Sequence, residues 1–426
     1  MRLTSFQARL TYVAVALLLA SPANVLGASP PAVAAPDAHS AGHVYVLNNN
    51  LSGPNSITVF NRRSDGALTM AGTTGIGGLG SLAAFSNGTQ GSLIRMGGAA
   101  GDDDQPSATD ATSDPVAGDD PARRGGRLFA VDAGSDQISV VDVHDGRLTL
   151  AGVFASGGSG PVSLTYGDGL LYVLNAANAN PAVAANVTGF RVDAHGALHP
   201  ISGSTRPLSA AHPNPAQVLL DPYGHYLLVT EKDTNLIDLY RVAHDGSLSA
   251  PVTIASVGAV PFGMAFDRPE RPSEFIVADA AGGANGTGAA TAYRLQNGAI
   301  QALGPAVPDH QIAPCWMVIT PNGRYAYTSN ADSQTISGYR IGKDGTITLL
   351  NADGATGTTP ADTFPLEEAL SGPGRYLYVL DSRLLLPVPG PATLSGWRIG
   401  ADGSLTSVVD PAQIVLPFTA IGLAAD

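Results

Sequence analysis

Apolar and polar residues alternate with period two along most of the chain, in short runs ended by turn residues. The segment Ile319–Leu350, ITPNGRYAYTSNADSQTISGYRIGKDGTITLL, is a complete example. Its three alternating runs are separated by Pro321-Asn322-Gly323 and by Asp344-Gly345. Alternation places successive side chains on opposite faces of a strand, and Xaa-Gly supplies the positive φ that a tight hairpin needs. The pattern predicts short antiparallel strands.

The same unit recurs. An Xaa-Gly turn before a Leu or Ile run occurs at Asp65-Gly66, Asp145-Gly146, His195-Gly196, Asp245-Gly246, Asn297-Gly298, Asp344-Gly345 and Asp402-Gly403. Five of the six intervals lie between 47 and 58 residues, and the first is 80. Two β-branched or aromatic runs precede each turn, as in RLFAVD with ISVVDV and YLYVLD with LSGWRI. Before these comes a further apolar run, usually opened by proline: PVSLTY, PAQVLLD, PFGMAFD, PCWMVIT and PLEEALS, with SLAAFS (Ser81–Ser86) in the second unit.

Each unit thus predicts four strands: A innermost, B, C, and D after the Xaa-Gly turn. Four-stranded units at this spacing are the mark of a β-propeller blade. The first unit lacks an A strand, and Pro417–Asp426 reads as an A strand with no B strand after it. Ring closure solves both, because pairing the last strand into the first blade leaves no open sheet edge. The expected fold is all-β, a single seven-bladed propeller over residues 42–426.

Composition narrows this without changing it. The chain is 44% apolar and 13% charged, with 51 glycines and 31 prolines among 426 residues. That is too apolar for a disordered protein and too rich in Gly and Pro for a helical one. The net charge of −13 and the lack of a basic cluster exclude a nucleic-acid partner. Arg2 and Arg9, the apolar run Tyr12–Ala20 and the small-residue exits Val25–Gly27 and Ala32–Ala34 predict a signal peptide over 1–27. A flexible segment over 28–41 then follows. A secreted or periplasmic monomer with no membrane anchor is expected. Gly97–Gly126, rich in Asp, Ala, Gly, Ser and Pro, reads as a disordered acidic insertion between strands A and B of its blade.

If A runs from top to bottom, the A–B and Xaa-Gly turns lie at the bottom. The longer B–C and D–A loops, such as 176–186, 205–214 and 382–393, then lie at the top. Long loops on a rigid ring are where binding usually resides, so the top mouth of the channel is the expected site for a small-molecule or glycan ligand. Each B strand ends near that mouth in a polar residue: Asn48, Asp132, Asn175, Glu231, Asp279, Asn330 or Asp381. Asn and Asp at such places also commonly start turns. Asp132, Asn175, Asp279, Asn330 and Asp381, with Trp316 and Arg383, are the candidate binding residues.

Three residues are candidates for proton transfer. Glu367 lies in the A strand PLEEAL where counterparts are uncharged, and alternation points it rather than Glu368 at the channel. Glu231 is a poor turn former, and His212 lies near it in a Pro-rich loop. A His–carboxylate pair is suited to moving protons near neutral pH. Cys315 is expected to be a small buried apolar residue. The chain has no nucleophile elbow, HExxH, zinc-spaced Cys/His set or phosphate loop, so no metal or cofactor is expected.

The blade grammar, clearest at Pro215–Leu248 and Pro314–Ile347, resembles the seven-bladed β-propeller lactonase family, which includes 6-phosphogluconolactonase and carboxymuconate cyclase. The resemblance implies a propeller fold, lactone hydrolysis or cyclisation, and catalytic residues near the channel. Phe262 and Gly263 stand where that family places Arg and His. Two expectations follow: an exported enzyme acting on a non-phosphorylated lactone, or an exported propeller that binds a ligand without turnover.

Overall fold

The computed structural model describes residues 40–82, 91–96, 126–177, 180, 182–267, 273–283, 287–384 and 389–426. Most of the expected signal peptide, the segment after it and the acidic insertion lie outside these. No helix among the described residues is long and apolar enough to cross a membrane.

Seven antiparallel sheets form seven blades in chain order. The second, for example, runs Leu93–Met96, Arg127–Asp132, Gln137–His144, Arg147–Ala155 from axis to rim. In three blades the outermost strand is broken into two short pieces on the same C strand, as Leu198–Pro200 and Arg206–Pro207 are on Asn186–Val192. The glycine of all seven predicted Xaa-Gly turns has positive φ, between 71° and 90°. Asp145 and Asn297 share that conformation, so their turns place two residues there.

The ring closes as the orphan strand predicts. Ala420–Ala425 pairs with Gly42–Asn48, with Val44 opposite Ala425, and becomes the inner strand of the first blade. One expectation is corrected. The inner strand of the second blade is Leu93–Met96 and not Ser81–Ser86, because the SLIRM segment supplies the register against Arg127–Ala130. Met96 and Arg127 face each other, so the chain leaves and re-enters this blade at its A–B end.

Apolar clusters lie between neighbouring blades, each mixing residues of two or three sheets. Tyrosines of B strands add a directional bond to this packing. The hydroxyls of Tyr172, Tyr327 and Tyr378 each donate at 2.8 Å to the carbonyl of Gly246, Gly403 or Gly66. Each acceptor is the turn glycine of the following blade. A buried carbonyl must find a donor, so each tyrosine fixes the tilt of its neighbour. The Xaa-Gly turn therefore closes one hairpin and docks one blade onto the last.

Candidate functional site

The seven inner strands line the central channel, and its two ends differ. At the top, where the strands begin, Ala216, Phe262, Cys315, Trp316, Phe364 and Leu366 form one buried cluster. Phe262 and Trp316 pack with ring centroids 5.8 Å apart. At the other end lies a cavity of about 320 Å³, lined by inner strands of all seven blades. Its walls include the strand ends and A–B turns at Tyr166–Asp168, Phe266, Ile319, Pro321 and Leu370–Gly372. The channel is plugged at the top and hollow toward the bottom.

Glu367 and Glu368 both line that hollow. Strict alternation would turn one of them away. A register shift between Pro365 and Glu368 interrupts the pairing of this strand with Tyr376–Ser382, and the two carboxyls diverge. Glu367 reaches to the second blade, where its Oε1 accepts from the Gly91 N–H at 2.9 Å, the Ser92 N–H at 3.1 Å and the Ser92 hydroxyl at 3.3 Å. The Ser92 Oγ also accepts from the Gly422 N–H of the first blade at 3.1 Å, tying three blades together. Glycine is required there, since a Cβ at 422 would lie 2.7 Å from the Leu93 Cβ and 2.8 Å from the Leu47 Cβ. Burial pushes the Glu367 carboxyl up to about 8, against the opposing effect of its donors.

Glu368 has no such donors. It is 6% exposed, and neither carboxyl oxygen has a hydrogen-bond partner among the described residues. Burial alone pushes its carboxyl well above the usual range. The one cationic side chain in the lining, among the described residues, is Arg95, which pairs with Asp426 at 3.3 Å.

The other candidates lie elsewhere. Asp132, Asn175, Asp279, Asn330 and Asp381 are fully buried inside the blades and mostly bond the adjacent C strand. Asp132 accepts from Ser139 and Asn55 at 2.7 Å, Asp279 from Thr291 at 2.5 Å, and Asp381 from Ser395 at 2.6 Å. Asn330 donates to Ser337 at 2.8 Å, and Asn175 to Asn186 at 3.1 Å. Asn48 likewise donates to Thr58 at 2.9 Å. Burial raises Asp132 to about 6, Asp279 to about 7 and Asp381 to about 8. These residues form a polar layer that joins B to C strands. Trp316 lies in the apolar plug and Arg383 is half-buried beyond it.

Glu231 is fully buried near the top and accepts from the Ser209 N–H at 3.0 Å, the Ser209 hydroxyl and the Thr234 hydroxyl. Asp238 accepts from the same Ser209 N–H at 3.0 Å. Burial, and then the neighbouring Glu231, drive the Asp238 carboxyl far above its ordinary value. His212 is exposed. Cys315 is buried, and burial pushes its thiol up, as expected of a core residue.

Asp238, Glu368, Arg95 and Lys232 were not among the candidates. Lys232 stands 4.6 Å over the Phe262 ring, and burial lowers its ammonium to about 7. Its signal was weak: a lysine after a strand ordinarily points to solvent. Glu368 gave a stronger one, a second charge in an otherwise apolar inner strand.

Residues 112–279 match the family described as Lactonase, 7-bladed beta-propeller. No curated protein matches the chain. Among solved structures, a candidate 6-phosphogluconolactonase of Bacteroides uniformis superposes with TM-score 0.62 at 13% identity, over 90% of this chain and 99% of its own. The periplasmic gluconolactonase of Pseudomonas aeruginosa superposes with TM-score 0.59 at 16% identity, over 90% and 99%. A hypothetical selenium-binding protein of Sulfolobus tokodaii reaches TM-score 0.65 at 11% identity, over 91% and 93%. The superpositions show the seven-bladed propeller fold, and the match over residues 112–279 is to the family that the blade grammar resembles.

Proposed function

We propose that this protein is an exported lactonase-family propeller that hydrolyses a non-phosphorylated lactone in its channel cavity. The observation that carries the reading is Glu367, a carboxyl held by Gly91 and Ser92 at the wall of a hollow of about 320 Å³. Raised to about 8, it is mostly a neutral acid at pH 7 and suited to proton donation. Water adds to the lactone carbonyl carbon, and the acyl carbon–ring oxygen bond breaks. The ring oxygen takes the proton from Glu367, and the proton shed by the water returns to it. The product is the open hydroxy acid. Glu367 is thus assigned proton donation in place of water activation. Carboxyls without a free cation also disfavour a phosphorylated substrate.

A second reading, a ligand-binding propeller without turnover, is favoured by Phe262 and Gly263, which bring no charged group to the plugged end. The test is lactone hydrolysis, followed with a pH indicator over sugar and aliphatic lactones. The expected result is turnover that declines as pH rises through about 8 and falls by on the order of 100-fold or more in Glu367→Gln. Loss in Glu231→Gln with full activity in Glu367→Gln would move the site to the top-face pair. No turnover over the whole panel would establish the binding reading.

A further inference from the structure

We infer that the channel cavity is a site for an organic ammonium ion, with Glu368 as its counter-ion. This goes beyond lactone hydrolysis and holds whether or not the cavity turns a lactone over. A buried carboxyl with no donor is unfavourable in the empty protein, because it has lost hydration and gained nothing. Glu368 is such a group: 6% exposed, both oxygens without a partner, at the wall of a hollow large enough for a small molecule.

The surroundings select the charge and shape of what binds. Facing Glu368 are Glu367, engaged by Gly91 and Ser92, and from the sixth blade Cys315, whose thiol Glu368 influences electrostatically. Across the cavity Arg95 is paired with Asp426, and Asp168 stands exposed at the rim. Lys232 approaches Cys315 from the plugged end with its ammonium over Phe262. Among the described lining residues no cationic side chain is left over for an anion, and the carboxyl without a donor gains most by ionising beside an incoming cation. The remaining walls, among them Met264, Phe266, Met317 and Leu423, are apolar and accommodate a hydrocarbon body. An ammonium N–H donates to Glu368, and the carboxyl gives up its proton to solvent as the cation arrives.

The test is calorimetric titration of the whole protein at pH 7 with cyclohexylammonium and with cyclohexanol, in two buffers of different ionisation enthalpy. The amine is expected to bind with Kd on the order of 0.1–1 mM, at least about tenfold tighter than the alcohol. It should release up to one proton per molecule bound. Glu368→Gln should lose that preference and the proton release while melting as a folded protein. Equal binding of amine and alcohol, no binding of the amine at 10 mM (~ten times the expected range), or unchanged amine binding by Glu368→Gln would each overturn the inference. Should Glu368→Gln fail to fold, the amine–alcohol comparison and the proton release in the native protein still decide. A protein that hydrolyses no lactone but binds the amine refutes the enzymatic reading alone.

Discussion

Glu367 of the seventh blade and Ser92 of the second are bonded across the channel, although 275 residues separate them in sequence. The carboxylate takes both the backbone N–H, at 3.1 Å, and the hydroxyl, at 3.3 Å, of the same serine. A strand that would otherwise need only apolar residues thus carries an acid that also joins blades.

The pH dependence of stability follows from its environment. Burial raises Glu367 from an ordinary 4.5 to about 8, so the folded state holds a proton that the unfolded state releases between those values. The resulting stabilisation is complete below about 4.5 and is lost as pH rises through 8. Asp381, raised to about 8, and Asp279, to about 7, act in the same sense. The melting temperature is expected to fall from pH 5 to pH 8.5, and Glu367→Gln to reduce that slope. An unchanged slope in the variant would show that Glu367 does not titrate in this window.

Asp426 fastens the closing strand. Its carboxylate accepts from the His43 N–H and, at 3.1 Å, from the Tyr45 hydroxyl, and it pairs with Arg95; its carbonyl accepts from Arg62 at 2.9 Å. Arg95 and Asp426 are only 6% and 10% exposed, so removing the acid strands a buried cation. Asp426→Ala is expected to lower unfolding free energy in urea by roughly 3 kcal/mol. A change below about 0.5 kcal/mol, the level of an ordinary surface substitution, would show that the contact does not hold the ring.

The tyrosine–turn bonds make a third prediction. Tyr378→Phe leaves the Gly66 carbonyl without its 2.8 Å donor and should destabilise by roughly 1–3 kcal/mol. Tyr223→Phe, at an exposed position, should stay within about 0.5 kcal/mol. Equal effects in the two variants would remove the hydroxyl from the account of blade docking.

The fold was legible because each element carries its own local signal. Turns such as Asp145-Gly146 fix a hairpin from two residues, and the unpaired strand at Pro417–Asp426 demanded closure. The second blade's inner strand was not legible: LIRM is four residues long and carries Arg95, whereas Ser81–Ser86 is longer and carries no charge. The candidate site was only partly legible. Glu367 was identified at the channel from its charge in an apolar strand. Glu368 was turned away by an alternation rule that the register shift after Pro365 breaks. Nor does period-two patterning say which end of a channel is filled, since that depends on Phe262 and Trp316 meeting across blades.

Closure also has a consequence in time. Tyr45 lies in the first strand of the ring to be made, and the residue that receives its hydroxyl bond, Asp426, comes 381 positions later. Until Ala420–Ala425 has been made, the first blade presents Gly42–Asn48 as an open inner edge able to template another strand. Joining so distant a pair adds little to the loop entropy, which grows only with the logarithm of length, but it slows the search. The last strand of the ring to be made is the one that locks it, and a chain stopped short of residue 420 keeps a first blade ready to pair with a stranger.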